Sequence, residues 1–141
     1  MSYVPDFVAL YEICPYIRKF PLNNETIRVA VKHYLEGCKK RNDIINKYGK
    51  ISDWNTSEVT NMSCLFEDCI DFNEDISKWD TSSVITMDDM FFGAKNFNQP
   101  IGGWNTSNVT KMGSMFNCAE SFNQPIEEWD TSNVITMEGM F

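Results

Sequence analysis

The feature that most constrains this 141-residue chain is a segment that repeats every 25 residues from Ile51 onward. Three complete copies open at Ile51, Ile76 and Ile101, and a partial fourth copy opens at Ile126. A Trp follows each of these Ile residues three positions later, and these four are the only Trp in the chain. A fixed period of this length is typical of proteins that stack structural units, because each unit buries its apolar side against its neighbours.

Two hydrophobic patterns alternate within each copy. In the second copy, Ile76, Trp79 and Thr81 have the spacing of the strand in leucine-rich repeats. The next apolar residues have helical or 3₁₀ spacing: Val84, Met87, Met90, Phe91 and Ala94. We therefore predict an α/β fold, a right-handed leucine-rich-repeat-like solenoid of short parallel strands and helical turns. Trp104 and Phe116 share the inward phase of these patterns and are predicted to be buried.

The residues before the repeats are predicted to be helical. An N-terminal segment, residues 1–20, contains a short helix at residues 5–14. Residues 21–50 contain a longer helix that closes at Gly37, followed by a short turn at residues 43–48. The apolar stripe of the longer helix consists of Ile27, Ala30, Val31, Tyr34, Leu35 and Cys38. Because the end of a repeat stack needs a cover, residues 21–50 are predicted to be a helical cap on the repeat domain, residues 51–141.

Charge is distributed unevenly along the chain. Residues 1–50 carry nine Lys and Arg against five Asp and Glu, whereas residues 51–141 carry three against fifteen. The repeats therefore have a net charge of −12 within a chain of −8 overall. A surface this acidic repels phosphate backbones, so nucleic acid is not an expected partner.

The chain shows no sequence signal for secretion or for a metal site. Its five Cys form an odd set without the spacing of a disulfide framework or a zinc site. The N-terminus lacks the apolar run of a signal peptide, and no apolar run is long enough for a membrane span. An intracellular or virion-associated location is therefore favoured over secretion, and no cofactor is expected. Five glycosylation sequons occur, at Asn24, Asn55, Asn61, Asn105 and Asn108, but modification is not expected without a secretion signal.

The repeats resemble those of the BspA-like leucine-rich repeat family, known also from mycoplasma surface lipoproteins. That family's motif runs close to W-D-T-S-N-V-T-x-M-x-x-M-F-x-x-A-x-x-F-N-Q-P-I, and residues 104–126 match it at nearly every defined position. The resemblance covers residues 51–141 and implies a repeat fold and a role in binding, typically in adhesion at a bacterial surface. It implies no reaction.

One candidate binding feature follows from the repeat itself. The fifth position of the copies holds Asn55, Asp80, Asn105 and Asp130, and stacking would place these side chains in one exposed row. Such a row is a candidate site for a cation or for hydrogen bonds to a partner. The structural alternative is that each side chain closes an Asx turn with the following Thr-Ser.

The partial fourth copy supplies a second candidate. Its apolar residues would form an uncovered end face of the stack: Trp129, Val134, Met137, Met140 and Phe141. Exposed apolar surface and unpaired backbone favour association, so this face is predicted to be covered by another protein or a second copy. The alternative is a truncated fragment whose last half-coil frays.

The sequence supports a catalytic site less well than a binding surface. The only histidine, His33, lies on the predicted cap, where a surface role is favoured over a catalytic one. Four acidic pairs could serve as acid and base: Glu67-Asp68, Glu74-Asp75, Asp88-Asp89 and Glu127-Glu128. They occupy different positions in successive copies, which favours a solvated surface. The expected function is a non-catalytic protein-interaction or adhesion-type module. The alternatives are a structural or assembly component, for example of a large virus particle, and a hydrolase that uses stacked carboxylates.

Overall fold

A computed structural model describes residues 20–141 of the chain, and the helix predicted for residues 5–14 lies outside this part. Two helices precede the repeats: α1 spans Asn24–Leu35 and α2 spans Cys38–Tyr48. A single 3₁₀ turn, Ile51–Asp53, begins the first copy.

Local side-chain bonds determine where α1 begins. The Asn23 Oδ1 atom accepts hydrogen bonds from the N–H groups of Glu25 (3.0 Å) and Thr26 (2.9 Å), and the Asn23 N–H donates to the Thr26 hydroxyl at 2.9 Å. This reciprocal pattern is a capping box. Gly37 has a φ of 115°, which separates α1 from α2. The prediction of one apolar stripe that reaches Cys38 is therefore wrong, because Cys38 begins α2 and its side chain is exposed.

The predicted leucine-rich-repeat-like solenoid of parallel strands is wrong. Across residues 20–141 the structure contains no strand and no sheet. Successive copies meet only in isolated parallel bridges, which link Asn61 to Thr86, Thr86 to Lys111, and Lys111 to Thr136. The helical turns predicted within the repeats are likewise absent beyond Ile51–Asp53, and each copy is a coil of consecutive tight turns.

The backbone hydrogen bonds explain why the coils contain no strands. In the first copy, alternate N–H groups donate to carbonyl groups of the second copy, as in Met62 N to Thr86 O (3.0 Å) and Cys64 N to Asp88 O (3.0 Å). The N–H groups between them close turns within the copy, as in Leu65 N to Met62 O (3.3 Å). A residue in a tight turn cannot hold the extended dihedral angles of a strand, so the ladder never lengthens beyond single bridges.

Positive φ angles recur at the fourteenth and eighteenth positions of the copies. The residues concerned are Cys64, Asp68, Asp89, Gly93, Ser114, Cys118 and Gly139. Residues other than Gly pay a steric cost in this left-handed region, and five of the seven are not Gly. The recurrence at the same two positions shows that the stacked fold, and not the local residue, imposes this conformation.

The predicted inward residues form the core of the stack. Trp104 is 4% exposed and Phe116 is 2% exposed, which confirms the prediction that both are buried. Phe rings of successive copies stack almost parallel, with centroids 5.6 Å apart for the pairs Phe66–Phe91 and Phe91–Phe116. A parallel Trp column runs beside them, with Trp104 and Trp129 6.4 Å apart. The repeat thus buries one continuous aromatic interior.

Polar groups at the margin of this core also connect neighbouring copies. The indole N–H of Trp79 donates to the Ile51 carbonyl at 2.8 Å, and this bond recurs in the next two copies. The hydroxyl of Thr56 donates to the Asp80 carbonyl at 2.9 Å, and this bond also recurs. Among residues 20–141, every buried side-chain nitrogen or oxygen has a hydrogen-bond partner. The conserved period therefore repeats a hydrogen-bonding pattern as well as an apolar one.

The two helices cover the first copy by reproducing contacts that a preceding coil would make. The Asn24 Oδ1 atom accepts from the N–H groups of Thr60 (2.8 Å) and Asn61 (3.0 Å). The equivalent N–H of the second copy belongs to Ile85, and it donates instead to the Thr60 carbonyl of the preceding coil. The Arg28 guanidinium donates to the Ser63 carbonyl at 2.8 Å. In the second copy the equivalent carbonyl, that of Asp88, accepts a backbone N–H from the preceding coil. Two side chains of α1 thus replace backbone groups at the start of the stack.

Candidate interaction surface

The fifth-position side chains lie in one row, and each is held by the serine two residues later. The Oδ1 atom of Asp80 accepts from the Ser82 hydroxyl at 2.6 Å and from the Ser82 N–H at 3.0 Å. Equivalent bonds from the serine N–H form in the other three copies, at Asn55, Asn105 and Asp130. The structure therefore shows the Asx-turn geometry at every copy. Whether the row also binds a partner stays a prediction.

This geometry leaves one side-chain atom of each row residue available at the surface. Asn55 is half-buried, whereas Asp80, Asn105 and Asp130 are exposed. Hydrogen bonds from the hydroxyl and then the N–H of the adjacent serine lower the pKa values of Asp80 and Asp130. Both carboxylates are therefore ionised at neutral pH, and the row alternates amide and carboxylate groups.

The row is also fixed by the coil before it. The carbonyl groups of Asp80, Asn105 and Asp130 each accept the hydroxyl of a Thr from the preceding copy, at 2.9 to 3.0 Å. A side chain that is held by the nearby serine, and whose backbone is held by the preceding coil, loses little freedom on binding. The row is thus a preorganised polar surface.

The structure does not bring all five residues of the predicted end face to the surface. Trp129 and Met140 are buried against the third copy, and Val134 is half-buried. Met137 and Phe141 are 41% and 72% exposed. Sequence reasoning missed Ile135, which is 80% exposed on the same copy, because its position was not part of the inward pattern.

Several residues weighed for catalysis form bonds within the fold, and burial together with the charges of Glu67 and Asp88 raises the pKa of Asp89. Glu74 pairs with Arg41 at 2.6 Å, Asp75 accepts from the Ser77 N–H, and Asp88 accepts from the Gly113 N–H. His33 is half-buried on α1 and lines a groove between the two helices. Within residues 20–141, no three His, Cys, Asp or Glu side chains lie where they could hold a metal ion.

The described cysteines are free thiols: Cys38, Cys64, Cys69 and Cys118. Burial and the hydrogen bond with Glu67 raise the pKa of Cys64 to about 11, and burial raises the pKa of Cys69. Both thiols are therefore protonated at neutral pH and are weak nucleophiles.

The sequon asparagines all use their side chains within the fold. Asn24 donates to the Thr60 hydroxyl, Asn61 accepts from Arg28, and Asn108 donates to the Ser82 carbonyl at 2.7 Å. Asn55 and Asn105 close the Asx turns described above. A glycan on Asn24 or Asn108 would replace one of the two hydrogens on an Nδ2 atom whose hydrogen bond connects two parts of the stack.

Comparison with known proteins identifies the family. Residues 31–141 match the family described as Mycoplasma protein of unknown function, DUF285. The chain belongs to this family. The matched region contains all four copies of the repeat, the whole of α2 and the C-terminal end of α1. No curated protein and no solved structure matches the chain. No helix among the described residues is long and apolar enough to cross a membrane.

Proposed function

We propose that this protein is a non-catalytic protein-interaction module of the adhesion type, which presents one side of its repeat stack to a partner. The observation that carries the proposal is the row of Asn55, Asp80, Asn105 and Asp130. A short polar side chain, Asn or Asp, returns on every copy and is held in place before any partner binds. The resemblance of the repeats to BspA-like surface proteins supports an adhesion role for such a row.

The charge of the repeats suggests the chemistry of the partner. Residues 51–141 carry a net charge of −12, and Asp80 and Asp130 add ionised carboxylates to the row. A protein with a basic surface patch is therefore the favoured partner, because complementary charge speeds encounter and fixes orientation. Nucleic acid is disfavoured for the same reason.

The absence of catalysis in this proposal rests on where the carboxylates lie. General acid and base catalysis needs two groups that face one reacting bond. Glu74, Asp75 and Asp88 instead form separate bonds to Arg41, Ser77 and Gly113. These local partners favour a structural use of the acidic residues over a hydrolase site.

A second candidate function, a structural or assembly component, is favoured by the exposed apolar side chains of the fourth copy. Ile135, Met137 and Phe141 are exposed at one end of the stack. Exposed apolar side chains on the terminal copy favour association with another protein or a second copy. Light scattering over a concentration series, with Met137→Lys and Phe141→Lys beside the parent, tests this candidate. A parent that stays monomeric, with no change on substitution, removes its support.

Site-specific photo-crosslinking tests the adhesion proposal. Gly103 lies two residues before Asn105, and a Cβ atom added there meets no atom within 4 Å, which makes it a suitable position for a photo-reactive residue. The matched control places the same residue at Glu120, which is exposed elsewhere on the third copy. Each protein is irradiated with a cell-surface protein extract and with a cytoplasmic extract, and adducts are identified by mass spectrometry.

The proposal predicts a discrete protein adduct from position 103 and not from position 120. The double variant Asp80→Asn/Asp130→Asn should weaken this adduct, because it removes charge and keeps the acceptor that the Asx turn needs. An adduct from the surface extract supports adhesion, and one from the cytoplasmic extract alone supports assembly inside the cell. Equal adducts at both positions, or none at either, contradict a binding role for the row.

A further inference from the structure

The outward side of the fourth copy presents the same backbone donors that join the earlier copies. Inside the stack, the N–H groups at the twelfth, fourteenth and sixteenth positions donate to carbonyl groups of the following copy, as in Ser114 N to Glu138 O (2.8 Å). The corresponding N–H groups of the fourth copy belong to Met137, Gly139 and Phe141. No group among residues 20–141 accepts a hydrogen bond from these three.

Side-chain and carbonyl groups on this side repeat the same pattern. Thr106, the sixth residue of the third copy, is buried, and its hydroxyl donates to the Asp130 carbonyl at 3.0 Å. Its equivalent in the fourth copy, Thr131, is exposed, and no described residue accepts from its hydroxyl. The first carbonyl of each earlier copy accepts a Trp indole N–H from the following copy, whereas the Ile126 carbonyl accepts none from the described residues. The fourth copy thus carries one complete side of a junction between coils.

Apolar side chains at two positions are exposed only in the fourth copy. Phe116 is 2% exposed and Met112 is fully buried, because the next coil covers both. Phe141 and Met137 hold the same positions in the fourth copy and are 72% and 41% exposed. A further coil would bury them as the fourth copy buries their equivalents. Apolar burial and hydrogen bonding therefore favour the same occupant.

We propose that this side of the fourth copy binds a coil of the same 25-residue repeat that belongs to another polypeptide. This rests on the second candidate function, assembly through the fourth copy, and names the partner. The incoming coil runs parallel to the fourth copy, and its carbonyl groups at the eleventh, thirteenth and fifteenth positions accept the three N–H groups. Its Trp indole donates to the Ile126 carbonyl. The contact continues an interface that successive copies already form three times in the stack.

A second copy of this chain fits this side poorly in either arrangement. In a pair related by a twofold axis, two fourth copies would oppose N–H groups to N–H groups and leave these donors without acceptors. In a head-to-tail pair, the first copy would have to supply the carbonyl groups. α1 already covers that side, since Arg28 donates to the Ser63 carbonyl and Asn24 accepts from the Thr60 N–H. The partner is therefore a repeat protein with a coil that no helix covers.

Charge favours particular coils as partners. The fourth copy contains four acidic residues and no Lys or Arg: Glu127, Glu128, Asp130 and Glu138. The third copy, which packs against it, has uncharged residues at the same four positions: Gly102, Gly103, Asn105 and Gly113. Like charges on neighbouring coils repel, so a partner coil that is neutral or basic at these positions is favoured.

A synthetic peptide with the sequence of residues 101–125 is the probe, because it is uncharged at these four positions. It is titrated into the full-length chain, and amide proton exchange is followed by nuclear magnetic resonance. At saturation, exchange at Met137, Gly139 and Phe141 should slow at least about tenfold, because each N–H gains an acceptor. Glu138 should keep its rate, since the equivalent N–H groups of earlier copies make no bond to the following coil. A peptide of the same composition in scrambled order is the control.

A substitution on the chain tests the same junction without changing its apolar surface. Thr131→Val keeps the shape of the side chain and removes the hydroxyl donor, so it should weaken peptide binding about 2- to 10-fold. Thr136→Val is the matched control on the same copy, because Thr136 is exposed and its position supplies no side-chain donor to a following coil. This control should change the affinity less than about twofold.

Protection that alternates along residues 137–141, that the scrambled peptide does not produce and that Thr131→Val weakens, supports the proposal. Three results would overturn it: no protection at millimolar peptide, equal protection of Glu138, or equal effects of Thr131→Val and Thr136→Val. Protection that appears in the chain alone as its concentration rises would also overturn it, because a second copy would then be the occupant. In that case light scattering still shows association and the second candidate function stands. A chain that neither binds the peptide nor associates with itself loses both.

Discussion

The side chain of Asn24 offers the most direct test of how the helices cover the repeats. Its Oδ1 atom accepts from the N–H groups of Thr60 and Asn61, and its Nδ2 group donates to the Thr60 hydroxyl at 2.9 Å. Asn24→Ala removes all three bonds and leaves two backbone N–H groups without their acceptor. The first copy then loses the groups that substitute for a preceding coil.

The expected magnitude follows from these bonds. An unsatisfied, partly buried N–H costs about 1–2 kcal/mol, so two of them cost about 2–4 kcal/mol. The better helix propensity of Ala offsets about 0.5 kcal/mol, because residue 24 is the first residue of α1. The net loss of unfolding free energy is therefore about 1.5–3.5 kcal/mol. Asn24→Asp keeps the acceptor and suits the first turn of a helix, so it should cost less than about 1 kcal/mol.

Urea unfolding followed by Trp fluorescence measures this loss, and hydrogen exchange locates it. Asn24→Ala should lower the urea midpoint and speed exchange of the Thr60 and Asn61 amides. Asn46→Ala, on the exposed surface of α2, is the control and should change neither. An Asn24→Ala protein within about 0.5 kcal/mol of the parent, with unchanged exchange at both amides, refutes the idea that this side chain replaces a coil.

Three further changes test other parts of the structure. Ser114→Gly should stabilise the stack by about 0.5–1 kcal/mol, measured from the urea midpoint, because residue 114 has a φ of 51° that Gly adopts without strain; a loss of stability contradicts this. Gly102→Ala should destabilise by about 1–3 kcal/mol, since its Cβ would lie 2.3 Å from the Pro125 carbonyl oxygen, whereas Gly103→Ala meets open space and should be neutral in the same assay. Serine hydrogen bonds lower the pKa of Asp80, so its ionised form contributes stability above the unfolded pKa of about 4, and this contribution is lost as pH falls through the folded pKa. The stability difference between the parent and Asp80→Asn should therefore shrink from pH 7 to pH 3, and a difference that is constant with pH argues against the mechanism.

The buried residues could be predicted from the sequence because the same apolar pattern recurs in each of the four copies. Trp104 and Phe116 are buried as predicted, since a large apolar residue that returns in phase at every copy is expected to face the shared interior. The Asx turns could also be predicted, because the bond from Ser82 to Asp80 spans two residues and depends only on local sequence.

The absence of strands from the repeats could not be predicted from the sequence. The inward residues of Ile76-x-x-Trp79 have the spacing of a leucine-rich-repeat strand, yet the Trp79 N–H closes a turn on the Ile76 carbonyl at 3.1 Å. The spacing of side chains shows which residues face inward. It does not show which carbonyl group accepts a hydrogen bond from each backbone N–H. The end face was predicted only in part for a similar reason, because the third copy covers Trp129 while Phe141 stays exposed.

The sequence by itself determined that residues 51–141 stack with a period of 25, which side chains face the interior, and that the repeats are acidic. These properties belong to the pattern of residue types and need no knowledge of the backbone path. The tertiary structure decided that turns replace strands, that residues such as Ser114 adopt a positive φ, and that Asn24 and Arg28 begin the stack. The bonds of Ser114, Asn24 and Arg28 reach groups more than twenty residues away, and the turns form between coils that are joined by bonds of the same kind. The free energy of such a bond exists only once the coils are in contact.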